Sequence, residues 1–273
     1  DHLDYFKNLD NIKKSFRKFA GQTSRLLVLN GDDQNTLDAV DGVSLDKLLY
    51  GFGEHNDYRA ANLTVSHGAV QHFDVIYQGE TLTQVTLNVP GKHNVLNALA
   101  AFAVAHHLGD SPALIAENLE KFTGVHRRFE ILGKPCGITV ADDFAHHPTE
   151  LTATLTAAME MGFKRVWAVF QPHTYSRTAM LLDDFAKALS IPDKVVMSEI
   201  LAVREENTYG IYTKDLAEKI PGSVWFNTFE EITGYICENA QPGDLVLTLG
   251  GGNVYMCAGM ILKALNAKEY HGQ

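Results

Sequence analysis

Two carboxylates and two imidazoles fall within six residues of one another in the run Val140-Ala141-Asp142-Asp143-Phe144-Ala145-His146-His147-Pro148-Thr149-Glu150. The apolar residues before them, Gly137 to Ala141, read as a buried strand. Pro148 reads as the opening of a helix, because its fixed φ suits a first helical turn. In open α/β sheets the carboxyl ends of the strands are where ligands bind: the loops diverge there and the next helix points its N-terminus into the gap. The run is therefore a candidate site, against the plainer reading of two helix-capping Asp and two solvated His.

Five other stretches carry candidate residues. His2 lies between acids in Asp1-His2-Leu3-Asp4, where a neutral imidazole with carboxylate neighbours suits a divalent metal. Gly91-Lys92-His93-Asn94-Val95-Leu96-Asn97-Ala98 puts His93, Asn94 and Asn97 on a first helical turn. Two amides three residues apart can offer an adenine edge both a donor and an acceptor, although Asn94 also suits an N-cap. Arg127 and Arg128, in Gly124-Val125-His126-Arg127-Arg128-Phe129-Glu130, can reach phosphate oxygens or form an interdomain ion pair. Phe170-Gln171-Pro172-His173-Thr174-Tyr175-Ser176-Arg177-Thr178 follows a strand and leads into a helix that Ser176 caps. If its strand neighbours the one before Asp142, His173 and Arg177 share a rim with His146 and His147. The turn Gly250-Gly251-Gly252-Asn253 could approach an anion, but it lacks both the dinucleotide and the phosphate-loop spacing, so tight packing is its better explanation.

These residues need elements to hold them. Ile12, Phe16, Phe19 and Ala20 fall at helical spacing with Lys and Arg between, and Arg25 to Asn30 reads as a central strand delivering a turn. Lys47 to Phe52 is a short strand. Asn62 to Ser66, Gln71 to Tyr77 and Thr81 to Val89 alternate as an antiparallel meander. His93 to Leu108 is apolar at nearly every position, which predicts a helix buried on most sides, and Ser111-Pro112 starts another. After Gly124 strands and helices alternate: strands at 129–132, 137–141, 165–170, 194–197, 223–226 and 245–249, and helices from near 148, 176, 213, 228 and 253. Such alternation implies a mostly parallel sheet. The chain is expected to be α/β with two domains, 1–123 and 124–273.

The 273 residues carry a formal charge of -10, which argues against nucleic acid or an anionic membrane as partner. Cys136, Cys237 and Cys257 are widely spaced and suit a reducing, cytoplasmic setting. No run approaches the ~18 apolar residues of a membrane span. The start at Asp1 without Met leads us to expect a portion of a longer polypeptide.

Taken in order, these stretches resemble the Mur ligases, ATP-dependent amide-bond ligases of peptidoglycan synthesis. Asp-His-Leu-Asp resembles the family's metal segment, Gly-Lys-His-Asn-Val-Leu-Asn its adenine segment and His-Arg-Arg-Phe-Glu its hinge arginine. Asp142 to Glu150, Phe170 to Thr178 and Glu199-Ile200-Leu201-Ala202-Val203-Arg204-Glu205-Glu206-Asn207-Thr208 resemble most the branch that joins L-alanine to UDP-N-acetylmuramate. The resemblance implies a late part of a central ATPase domain with an antiparallel flank, followed by a Rossmann-like domain. It implies ATP and Mg2+ as cofactors, and UDP-N-acetylmuramate and L-alanine as substrates joined through an acyl phosphate. By the same resemblance His2 is a magnesium ligand, with His93, Asn94 and Asn97 at adenine, Arg128 at the terminal phosphates and Asp143 at the ribose. His146, His173 and Arg177 hold the amino acid and the reacting carboxylate. The family's phosphate loop and uridine-binding domain do not occur in these residues, so an N-terminal half of the same polypeptide is the expected partner and this portion alone is expected to be inactive. Thr174 stands where some relatives carry a second Arg. A tripeptide-recycling ligase of the same sugar nucleotide and a non-catalytic binding module are the competing readings.

Overall fold

The structure, a computed structural model, describes residues 2–66 and 70–271. It divides into two compact units, Asp1–Thr123 and Gly124–Gln273. In the first, strands β1 (Leu26–Asn30), β2 (Asp46–Gly51), β3 (Tyr58–Val65), β4 (Gln71–Tyr77) and β5 (Glu80–Leu87) form one sheet in that order. The first two pairings are parallel, and the last two are the antiparallel meander that the alternation implies. The Arg25 to Asn30 run is not central among the described residues: β1 ends the sheet order and only Leu27 in it is buried. Helices α1 (Leu3–Phe6), α2 (Leu9–Ala20) and α3 (Gln34–Ala39) belong to this end of the unit, and Phe16 and Phe19 of α2 remain exposed.

Helix α4 (Lys92–His107) buries Val95, Ala98, Leu99, Phe102 and Ala103 in a core with Phe73, Val75, Val85 and Leu87, and α5 (Pro112–Glu120) adds Ile115. It is not covered on most sides, since Ala101 and Val104 are exposed. The sequence misleads here because small alanines tolerate water at little cost, so apolar composition alone does not place a face.

The second unit has a six-stranded sheet in the order β10-β9-β8-β11-β7-β6. The strands are β6 (Glu130–Gly133), β7 (Thr139–Asp143), β8 (Val166–Phe170), β9 (Lys194–Ser198), β10 (Val224–Phe226) and β11 (Leu245–Leu249), all parallel neighbours except β6, which runs antiparallel to β7. Helices α6 (Pro148–Glu160), α7 (Tyr175–Met180), α8 (Leu182–Leu189), α9 (Thr213–Ala217), α10 (Phe229–Asn239) and α11 (Tyr255–His271) complete it. Residues of α6, α8 and α9 pack in one apolar cluster, and residues of α10 and α11 in a second that shares β7, β8, β9 and β11. With alternate side chains of each strand feeding the two clusters, β7, β8 and β11 have every residue buried, as doubly covered parallel strands require.

No helix among the described residues is long and apolar enough to cross a membrane.

Candidate functional site

The two chemistry-bearing runs of the second unit do not leave adjacent strands. β11 lies between β7 and β8, paired in register with both. The chain crosses from β7 through α6 to β8 on one face, and α11 follows β11 on the other, so the strand ends flank a topological switch point. Gln171 N donates to Leu249 O and Gly250 N to Asp143 O, which draws both flanking loops onto the end of β11. The loops meet over it: the rings of His146 and His173 lie 5.9 Å apart, edge to face.

His146 is fixed from several directions. Its Nδ1 lies 2.9 Å from Phe144 O, so in the neutral ring the proton sits on Nδ1 and the lone pair on Nε2. Its backbone N–H donates to Glu150 Oε2. The same carboxylate accepts from His147 N, and His147 Nδ1 accepts from Thr149 N, a reciprocal capping box at the start of α6. Of the two adjacent histidines, His147 therefore caps the helix. Burial depresses its pKa, with Arg177 and His146 adding to that effect, and this keeps it in the accepting form.

His173 and Arg177 stand one helical turn apart, with Arg177 Nη1 3.3 Å from His173 Nδ1. Burial, then the charges of Arg177 and His146, lower the His173 pKa, so this imidazole is neutral at neutral pH. The helix that carries Arg177 is capped by Thr174, not by Ser176: Thr174 Oγ1 accepts from Arg177 N, and Thr174 has φ 67° and ψ 144°, a region costly for a residue with a Cβ. Ser176 instead gives its N–H and hydroxyl to Glu205. Glu205 is thus a site residue that the spacing alone did not single out. Its stretch resembles a family motif, but only folding brings residue 205 onto residue 176.

Asp142 and Asp143 end β7 inside the fold instead of leaving it. Asp143 is 5% exposed; its two oxygens accept from Phe129 N and Ala145 N, and burial pushes its pKa up. The ribose role that the resemblance gives it falls to whatever lone-pair capacity these bonds leave. Arg128 is exposed, with its guanidinium 5.7 Å from the Phe144 ring.

In the first unit, α4 is capped by Gly91, at φ 93°, and not by Asn94. Asn94 Nδ2 donates to Pro90 O, and Asn94 Oδ1 accepts from Asn97 Nδ2 at 3.3 Å. His93 and Asn97 are exposed on the same first turn. His2 is exposed, and its carbonyl accepts from Tyr5 N and Phe6 N to start α1. Asp1 lies outside the described residues, as does the side chain of Asp4. Among the described residues no group of three His, Cys, Asp or Glu could hold a metal ion.

The chain belongs to the Mur ligase family: residues 1–105 match the Mur ligase middle domain and residues 127–252 the Mur ligase glutamate ligase domain. The individual relatives narrow the family further. The chain is 44% identical over 261 residues to a UDP-N-acetylmuramate--L-alanine ligase of Caldanaerobacter subterraneus subsp. tengcongensis, covering 93% of this chain and 57% of the relative. It is 44% identical over 269 residues to the protein of that name in Agathobacter rectalis, covering 96% and 59%. The crystal structure of UDP-N-acetylmuramate-alanine ligase from Thermotoga maritima superposes with a TM-score of 0.79 at 28% identity, over 98% of this chain and 58% of that one. A murein peptide ligase of Psychrobacter arcticus gives a TM-score of 0.65 at 25% identity, over 96% and 56%. The chain thus spans less than two thirds of the length of these relatives.

Proposed function

We propose that the chain is the middle and C-terminal part of an ATP-dependent ligase that joins L-alanine to UDP-N-acetylmuramate in peptidoglycan precursor synthesis, in the cytoplasm where both nucleotides occur. The observation that carries this reading is the convergence of His146, His173 and Arg177 over the end of β11, in a chain whose relatives at 44% identity bear that enzyme's name. ATP gives its terminal phosphoryl group to the lactyl carboxylate, leaving ADP and an acyl phosphate, and the alanine amine attacks that acyl carbon with release of phosphate.

The residues of this chain position that attack. The planar fork of Arg177 suits the amino-acid carboxylate, and its charge favours the anion. His173, held neutral by burial, accepts from Arg177 at Nδ1, so its proton sits on Nε2, where it can donate to a carboxylate oxygen. His146, with Nδ1 turned to Phe144 O, lies with its ring 5.9 Å from that of His173. The gain is orientation of the reacting groups more than proton transfer.

The nucleotide has partial support in the residues present. Asn94 Nδ2 gives one hydrogen to Pro90 and Asn97 Nδ2 gives one to Asn94, which leaves each amide a second N–H for an adenine edge, with His93 beside them. Arg128 is exposed and suits the phosphates. Magnesium prefers a set of oxygen ligands, and among the described residues no group of three His, Cys, Asp or Glu could hold a metal ion, so no step is derived through it. The phosphate loop and the uridine-binding domain are assigned to an N-terminal half of the same polypeptide.

In the polypeptide carrying that half, Arg177→Ala is expected to raise the KM for L-alanine at least tenfold, about 1.4 kcal/mol, with little change for ATP. Steady-state kinetics with each substrate varied in turn checks this; equal effects on both substrates would remove Arg177 from the amino-acid site. Faster turnover with a tripeptide than with alanine would redirect the assignment to the recycling ligase.

A further inference from the structure

The adjacent arginines of His126-Arg127-Arg128-Phe129 look interchangeable in sequence, and the fold separates them. Every nitrogen of the Arg127 guanidinium is committed within the second unit. Nε donates to Asp142 Oδ2 at 2.8 Å, Nη2 to Gly250 O at 2.8 Å and Nη1 to Gly252 O at 3.3 Å. Its plane lies 4.9 Å from the Phe144 ring centre and 4.8 Å from that of Tyr255. Its backbone is equally occupied: Arg127 N donates to Glu130 Oε2, and Arg127 O accepts from Phe144 N. The residue holds φ 59° to do so.

Both bodies that Arg127 grips are the ones His146 rests on. A Cβ placed on Gly251 would meet the His146 ring at 3.0–3.2 Å, so the imidazole lies directly against the turn whose flanking carbonyls Arg127 binds. A Cβ on Gly252 would run into the side-chain ends of Leu201 and Gln171, so the turn lies close against both. On its other side the His146 ring meets Phe144 edge to face at 5.2 Å, and Phe144 is under the same guanidinium.

We propose that Arg127 is a positioning residue for His146, acting through the Gly250–Gly252 turn and the Phe144 ring, while Arg128 is left as the ligand-facing member of the pair. The glycine turn is then a support held by a side chain from the start of the domain, and not an anion site. Because Lys offers a point charge in place of a fork, Arg127→Lys retains a cation for Asp142 but cannot also hold both carbonyls. It is the variant of choice, since R127A strips a buried carboxylate of its partner and risks unfolding.

This inference rests on the functional reading above only where activity is the readout, so the experiment has two arms. In the isotopically labelled 273-residue protein, nuclear Overhauser contacts between the Gly251 α-protons and the His146 ring are measured. R127K is expected to weaken them at least twofold and R128K to leave them intact; contacts that survive R127K, or that R128K weakens equally, overturn the proposal. In the longer polypeptide, R127K is expected to raise the KM for L-alanine at least tenfold with the ATP KM within twofold of the parent. An unchanged alanine KM reduces Arg127 to a fold staple and also overturns it. A parent without ligase activity would sink the functional reading, and the Overhauser arm would still decide whether Arg127 positions His146.

Discussion

Each unit places an Asp-Asp pair at the carboxyl end of an apolar strand, Asp32-Asp33 beyond β1 and Asp142-Asp143 within β7, and the two pairs are held in opposite ways. Asp32 has a side chain 27% exposed and pulls in the loop after β2, accepting from Phe52 N, Gly53 N and Asn56 Nδ2. Burial alone would raise its pKa, but these donors hold it below the usual carboxylate range. Asp33 caps α3 by accepting from Asn35 N. In the second unit Asp142 is 2% exposed and tied to Arg127, with Thr248 Oγ1 as a further donor, and burial pushes Asp143 up. Among the described residues the strand before the first pair stands at the end of its sheet order and is half-buried, and the strand before the second has neighbours on both sides. The comparison teaches that a dipeptide's chemistry is set by how many layers cover the strand delivering it.

Four perturbations test this contrast. The largest effect is expected from Asp142→Ala, which leaves the Arg127 charge without its buried partner: about 3–5 kcal/mol of stability, read from denaturant midpoints. A loss below 1 kcal/mol would mean that water reaches the pair. Asp32→Ala removes a charged acceptor from two backbone amides and Asn56, and should cost on the order of 2 kcal/mol. A cost matching that of Asp142→Ala would erase the distinction between the two ends. Asp33→Ala removes one cap and should cost about 1 kcal/mol, confined to α3 in hydrogen exchange.

The smallest and sharpest test is the pH dependence. Asp32, lowered on folding, contributes stability that is present above its unfolded value near 3.8 and is lost as pH falls through the folded value. Asp143, raised on folding, does the reverse: its contribution is present below 3.8 and is lost as pH rises through the folded value. Carbon-detected titration of the two carboxyls should therefore give midpoints on opposite sides of 3.8, and midpoints on the same side would refute the contrast.

Much of the architecture was legible because it depends on neighbours in the chain. The strand–helix alternation after Gly124, the meander, read from 62 to 89 and found from 58 to 87, and the opening of α6 at Pro148 follow from period, turn residues and fixed φ. The candidate residues His146, His173 and Arg177 were also legible as types at strand ends. What was not legible was which strand lay between them. Reading β7 and β8 as neighbours reaches the right rim by the wrong route, since β11, over seventy residues beyond β8, inserts between them. Nor could the sequence tell the two arginines apart, or show that Thr174 caps α7 while Ser176 binds Glu205.

The amino-acid sequence by itself determined the strand and helix order, the two-unit division and the inventory of groups able to handle a carboxylate and an amine, because these rest on short-range periodicity and side-chain chemistry. Tertiary structure alone decided which aspartate is buried and which arginine is spent on the fold, because those outcomes depend on residues more than a hundred positions away, such as Gly250 and Gly252 beneath Arg127.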